Sequence, residues 1–246
     1  QAGSYYLTAN LTSTGHGVVI TTGGVTLDLM GFTLAGDRDG ADYGVFLDGT
    51  TNAPIRDVVI RNGGVRDFGA GVRVEYGFGC RVEQVIVSDN AEKGIFLEGV
   101  SGQCDGNRIA DCTIRGNGSD GLFLHGAVGQ CNGNIIADCT ISDNGGAGVY
   151  LDGAFGRSEE NIISGCAIRK NADKGVALYE ADGNRVENNH ISAQTGDATC
   201  GIYSTGSAKN LVLRNTCVGQ TTNYIFTPND TYGPIVTDTG ALPLTG

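Results

Sequence analysis

Tryptophan is absent from this 246-residue chain, methionine occurs once and proline four times. With so little proline, and no three-residue glycine period, a collagen-like rod is excluded. No apolar run approaches the roughly 18 residues of a membrane span, so membrane insertion is not expected. Positive charge is scarce: 16 Lys and Arg face 27 Asp and Glu, a formal net charge of -11. A field of that sign repels phosphate backbones and anionic lipid, so nucleic acid is not an expected partner. A sustained helical period is missing as well, and no signal peptide is visible at Gln1.

Glycine is abundant, at 41 residues, more than twice the average share. A 40% apolar content allows a packed core and argues against disorder. The glycines belong to a repeat. Gly44, Gly71, Gly94, Gly121, Gly148, Gly175 and Gly201 each open a short alternating segment, as in GIFLEG from Gly94 and GVYLDG from Gly148, at intervals of 27, 23, 27, 27, 27 and 26 residues. In the same register run Asn90, Asn117, Asn144 and Asn171; then Asn107, Asn134, Asn161, Asn184 and Asn210; then Cys112, Cys139 and Cys166; and Cys104 with Cys131, joined after a slip of one residue by Cys80.

Short alternating stretches at a constant period imply a solenoid in which each coil stacks strand on strand, about 4.8 Å apart. Like residues then lie over one another. Stacked Asn amides can donate to the next rung and accept from the last, and Gly is expected to supply a positive φ at the corner. Residues 1–24 read as an N-terminal cap, 25–220 as repeat coils and 221–246 as a tail that closes the far end, within a single domain. Cys112, Cys139 and Cys166 share the face of an inward Ile and read as a buried thiol stack. Cys80, Cys104 and Cys131 read as loop residues, and a disulfide between Cys104 and Cys131 is geometrically conceivable. Cys200 and Cys217 fit no ladder. Residues 242–246 spell LPLTG, the form of a sortase recognition motif.

These columns resemble the right-handed parallel β-helix of the pectin lyase-like superfamily, in its bacterial repeat form, over roughly residues 25–220. The resemblance implies an all-β, single-stranded solenoid of roughly nine coils. It also implies a secreted or cell-surface location.

If the residue after each Gly points inward, the second and fourth after it point outward. One outward column reads Phe46, Arg73, Phe96, Phe123, Tyr150, Ala177 and Tyr203; the other reads Asp48, Glu75, Glu98, His125, Asp152, Tyr179 and Thr205. Aromatic rings beside carboxylates suit a sugar-binding groove. Carboxylates around a histidine also suit acid/base chemistry, and a like-charged Glu pair raises one carboxyl pKa. Carboxyls on adjacent coils lie about 5 Å apart and on alternate coils about 10 Å apart, near the retaining and inverting glycosidase separations respectively.

The catalytic segment of alginate epimerases and related lyases, YGFDPH, is similar to this strand, and His125 and Asp152 match its His and the Asp one coil later. Asp120 stands where that family has Tyr, and Phe123 where it has Asp. The expected site is therefore His125, Asp152, Glu98 and Tyr150 for catalysis, with Phe96, Phe123, Tyr150, Arg73, Glu75 and Asp48 for substrate binding. No metal ligand set is visible, although oxygen-rich stripes would permit Ca²⁺ to bridge to an acidic polymer. Two functions follow: a surface polysaccharide-binding β-helix with lyase, epimerase or hydrolase chemistry, or a non-catalytic stalk, spike or adhesive module.

Overall fold

In a computed structural model, which describes residues 1–196 and 200–233, the chain is all-β. The LPLTG motif and the last part of the expected tail lie outside the described residues. Nine parallel strands form one sheet: Val18–Ile20, Tyr43–Asp48, Ala70–Glu75, Ile95–Glu98, Leu122–His125, Val149–Asp152, Val176–Tyr179, Cys200–Thr205 and Thr222–Ile225. A seventeen-stranded sheet holds the other two faces, two short strands per coil, such as Arg108–Ala110 and Thr113–Arg115. The expected parallel solenoid is thus present, and both end segments join it. Gly3–Tyr6 pairs with Val25–Asp28, and Thr231–Tyr232 with Leu211–Leu213.

Alternation builds the core. Val72, Ile95, Leu122, Val149 and Val176 point inward in a column with no exposure, as do Leu97, Leu124, Leu151 and Leu178. Each fully buried side chain of this size contributes about 1.5–3 kcal/mol.

The Asn columns are continuous hydrogen-bond ladders. Asn107 Nδ2 donates to Asn134 Oδ1 at 3.0 Å, Asn134 to Asn161 at 3.1 Å, and Asn161 to Asn184 at 3.0 Å, while each backbone N–H donates to the same oxygen. The ladder ends where Asn210 Nδ2 donates to Asp230 Oδ1 at 3.1 Å. A third, shorter ladder escaped the sequence reading: Asn189 Nδ2 donates to Asn215 Oδ1 at 3.0 Å.

Two expectations are corrected. The repeated glycines do not turn corners, because none from Gly44 to Gly201 has a positive φ. They are needed for close packing: a Cβ on Gly121 would lie 2.7 Å from Ile141 Cγ2 and 2.8 Å from the Gly148 carbonyl. The left-handed corners lie elsewhere and are mostly not glycine. Gln84, Asp111, Asp138, Gly165, Asn188 and Arg214 form one such column, and Asp89, Gly116, Asp143, Lys170, Ala193 and Gly219 another.

The second correction concerns the disulfide. Cys80, Cys104 and Cys131 lie between strands, as expected, but point into the core, and all eight cysteines are free and buried. Cys104 and Cys131 repeat in stacked coils, each Sγ accepting from the Asn of its own ladder, Asn107 and Asn134, at 3.5 Å. Cys112, Cys139 and Cys166 form the buried stack expected of them. Cys217, read as partnerless, continues the inward Ile column after Ile168 and Ile191.

Candidate functional site

The nine-stranded sheet presents both outward columns in register. Phe46, Arg73, Phe96, Phe123, Tyr150, Ala177 and Tyr203 pair in sequence, and so do Asp48, Glu75, Glu98, His125, Asp152, Tyr179 and Thr205. All the residues singled out for catalysis and binding therefore share one face, with the inward Leu and Val beneath them fixing their direction.

The aromatic column is a stack. Phe96 and Phe123 lie 5.3 Å apart between ring centroids with 11° between planes, and Phe123 and Tyr150 lie 5.0 Å apart with 27°. Their faces are occupied by one another, so along this stretch the rings offer edges to a ligand. The His125 ring also stacks on Phe123, at 5.1 Å. Its Nδ1 lies 3.6 Å from Glu98 Oε1 and its Nε2 3.9 Å from Asp152 Oδ2. Both are longer than good hydrogen bonds. A small rotation or a bridging water would close either one, which leaves the imidazole free to exchange protons with both sides.

Arg73 anchors the N-terminal end. Its guanidinium reaches Glu98 at 2.6 Å, pairs with Glu75, is bonded to the Tyr43 hydroxyl, and lies 5.2 Å from the Phe96 centroid. The two glutamates it joins are pushed in opposite directions. Burial raises Glu75, with Glu98 and Asp48 adding to the rise against the pull of Arg73. Burial also pushes Glu98 up, but the neighbouring His125 and the Arg73 guanidinium outweigh it and leave Glu98 lowered. The Tyr150 phenol is pushed up to about 12, chiefly by burial and then by the charges of Asp152 and Asp120. A phenol held in its protonated form is a hydrogen-bond donor rather than a base.

Sequence reasoning missed Lys93 and Lys174, which precede repeat glycines, and gave Asp120, at the same position, no role in the site. Lys93 lies 5.1 Å from the Phe96 centroid and 5.4 Å from that of Phe123, and Lys174 lies 5.1 Å from that of Tyr203. Asp120 accepts the Ala147 N–H at 2.7 Å, and burial raises its carboxyl. These positions recur with the glycine period, and that recurrence is the signal that could have found them.

The family model described as periplasmic copper-binding protein (NosD) matches residues 10–233, nearly the whole chain. The chain belongs to the NosD family. No curated protein matches it. Among solved structures, this NosD-family chain is similar to the periplasmic alginate epimerase AlgG, with a TM-score of 0.68 and 21% identity over 80% of this chain and 46% of AlgG. It is similar to the A-module of the Azotobacter vinelandii mannuronan C-5 epimerase AlgE6, with a TM-score of 0.63 and 16% identity over 94% of this chain and 79% of that module. ORF18 of Geobacillus virus E2 gives a TM-score of 0.70 and 18% identity over 94% of this chain and 51% of that one. The chain thus spans about half the length of AlgG and of the viral protein. These likenesses establish the pectin-lyase-like parallel β-helix.

The donors of this NosD-family chain do not fit copper. Copper favours thiolate, thioether and imidazole ligands. Here the thiols are sealed in the core, where burial pushes Cys80 up to about 11 and disfavours the ligating thiolate. His16, His125 and His190 stand on separate coils, and Met30 is the one methionine. Among the described residues, no three His, Cys, Asp or Glu side chains come together as a metal site, for copper or for the Ca²⁺ that the acidic stripes allowed.

Proposed function

We propose that this NosD-family protein is an extracytoplasmic polysaccharide-binding β-helix, and that the chain runs along the face carrying Arg73, Phe96, Phe123 and Tyr150 beside Glu75, Glu98, His125 and Asp152. The observation that carries the reading is the unbroken register of rings beside acid/base groups along the sheet. Saccharides are bound by that combination: apolar contact from the rings and hydrogen bonds from the carboxylates to hydroxyl groups.

Hydrolysis is the chemistry this face supports best. Elimination or epimerisation at a uronate needs a cation to hold the enolate-like intermediate. Arg73, the one cation in the two columns, is already engaged by Glu75, Glu98 and Tyr43, and the lysines beside the columns, Lys93 and Lys174, are paired with Glu92 and Asp173. Hydrolysis needs two carboxyls whose pKa values are driven apart, as those of Glu75 and Glu98 are. They stand on adjacent coils, whose backbones are about 4.8 Å apart, and both carboxylates meet the Arg73 guanidinium. Glu75, raised by burial, is the candidate acid, and Glu98, lowered beside Arg73 and His125, the candidate nucleophile.

A glycan array followed by reducing-end and 235 nm assays on the bound polymers tests this. New reducing ends without absorbance at 235 nm are expected, while unsaturated products would replace hydrolysis with elimination. Binding without turnover would favour the second reading, a lectin-like or adhesive module. That reading draws on the connections that follow the strands of this sheet, which among the described residues are at most nine residues long and raise no long walls around the face.

A further inference from the structure

Two coils beyond His125 the aromatic stack is interrupted. Tyr150, Ala177 and Tyr203 occupy successive rungs of one outward column. Where every rung from Phe96 to Tyr150 fills its space with a ring, Ala177 leaves a gap. A pocket of about 210 Å³ opens there, between Tyr150 and Tyr203, with Asp120, Lys174 and Tyr179 at its sides.

We propose that this slot takes a single uncharged pyranose ring and that the face as a whole prefers neutral glycans to polyuronates. The proposal rests on the polysaccharide-binding reading above and adds to it a position and a substrate class. Two rungs separate the tyrosines, hence about 9.6 Å at the usual strand spacing. A flat guest touching both walls at about 3.5–4 Å would fill only about 7–8 Å. A puckered sugar ring, thickened by its axial hydrogens, takes up the remainder between Tyr150 and the wall that Tyr203 shares with Lys174. The volume lies below the roughly 300–1,000 Å³ of drug-sized sites, so it has room for one ring and not several.

Charge selects among sugars. Asp120 and Asp173 flank the slot, Asp152 lies one rung below, and the charges of all three push the Tyr150 phenol up. The one cation there, Lys174, is paired with Asp173 at 2.6 Å. Farther along the face Arg73 is likewise neutralised by Glu75 and Glu98. A uronate carboxylate would meet an excess of negative charge, whereas hydroxyl groups find acceptors in the carboxylates and a donor in the Tyr150 phenol.

The test is calorimetric titration of the wild-type protein, Ala177→Phe and Tyr203→Ala with neutral hexaoses (gluco-, manno-, galacto- and xylo-) and with hexamannuronate and hexagalacturonate. Ala177→Phe restores the ring that neighbouring rungs carry, and Tyr203→Ala removes a wall without adding bulk, so the two do not share a route to misfolding. The expected result is binding of a neutral hexaose, weakened at least about tenfold by each variant, with the uronates at least about tenfold weaker at low salt and the difference shrinking as salt rises. Unchanged affinity in both variants would overturn the slot while leaving the binding face intact. Preference for a uronate would overturn the charge selection alone. Failure of the wild-type protein to bind any hexaose would overturn the binding reading itself.

Discussion

His125 lies between Glu98 and Asp152 like a bead on a thread, with Nδ1 at 3.6 Å from one carboxylate and Nε2 at 3.9 Å from the other. Each nitrogen faces a carboxylate on the neighbouring coil, so the imidazole couples the two acids without being locked to either. His125→Ala is expected to lower turnover of a bound polymer, because Glu98 loses a neighbour that helps hold its carboxyl low. Binding should change little, because Phe96, Phe123 and Tyr150 keep their stack. Parallel loss of affinity and turnover in a titration series would assign His125 to binding instead.

Arg73 holds the charge balance of the adjoining pair. Glu98 is lowered in the folded protein, so its ionisation adds stability above its unfolded pKa, and that contribution is lost as pH falls through the folded value. Glu75 is raised, so its contribution has the opposite sign: present in acid and lost as pH rises through the folded value. In Arg73→Leu both carboxyls should titrate higher than in the wild type. Carboxyl-carbon NMR titration checks this, and a Glu98 that keeps its low value without the guanidinium would refute the assignment.

The two classes of glycine should respond differently to alanine. In Gly121→Ala the new methyl meets backbone and core atoms at 2.7–2.8 Å, and overpacking of that kind costs about 1–3 kcal/mol or more. Gly133 has φ +62° with nothing within 4 Å, so its alanine variant bears only the left-handed strain, about 1–2 kcal/mol. Urea unfolding midpoints should rank Gly121→Ala as the less stable. The reverse order would return the repeat glycines to the role of corner residues.

Asn134 has a buried partner on each side. Its Oδ1 accepts the Asn107 N–H at 2.8 Å and its Nδ2 donates to the Asn161 Oδ1 at 3.1 Å and the Cys104 carbonyl at 3.1 Å. Asn134→Leu strands those groups without water, at about 1–3 kcal/mol for each left unsatisfied. Thermal unfolding should fall well below that of an exposed control such as Asn52→Leu. Equal midpoints would mean the ladder is ornamental.

Copper gives a prediction from donor chemistry. Titration with Cu(II), or with Cu(I) under a competing chelator, should show no saturable stoichiometric site on the native protein. A tight site that survives in His125→Ala and appears only after partial unfolding would locate copper on the core thiols.

Much of this was legible because the solenoid turns sequence period into spatial contact. Asn134 and Asn161 are 27 residues apart and one hydrogen bond apart, so their recurrence revealed the ladder. The outward columns followed from the same arithmetic. What stayed hidden concerned reasons rather than places. A glycine can be demanded by φ or by a crowding neighbour, and only the Ile141 methyl beside Gly121 decides between them. Cys104 and Cys131 were placed in the right column and between strands, but their burial was not read, since it depends on which way a turn folds. The Tyr150 slot was invisible because Ala177 reads as a break in a motif, although its smallness is what makes the space.

The amide ladders have one further property. Asn107, Asn134 and Asn161 each point one side-chain N–H toward the later coil and the oxygen toward the earlier one, so over these rungs the small dipoles add along the axis instead of cancelling. The stack therefore has an electrical direction, positive toward its later coils, much as a helix has one along its backbone. Asp230 receives the last donors of that line at 3.1 and 3.2 Å, and a carboxylate is the residue that such an end attracts.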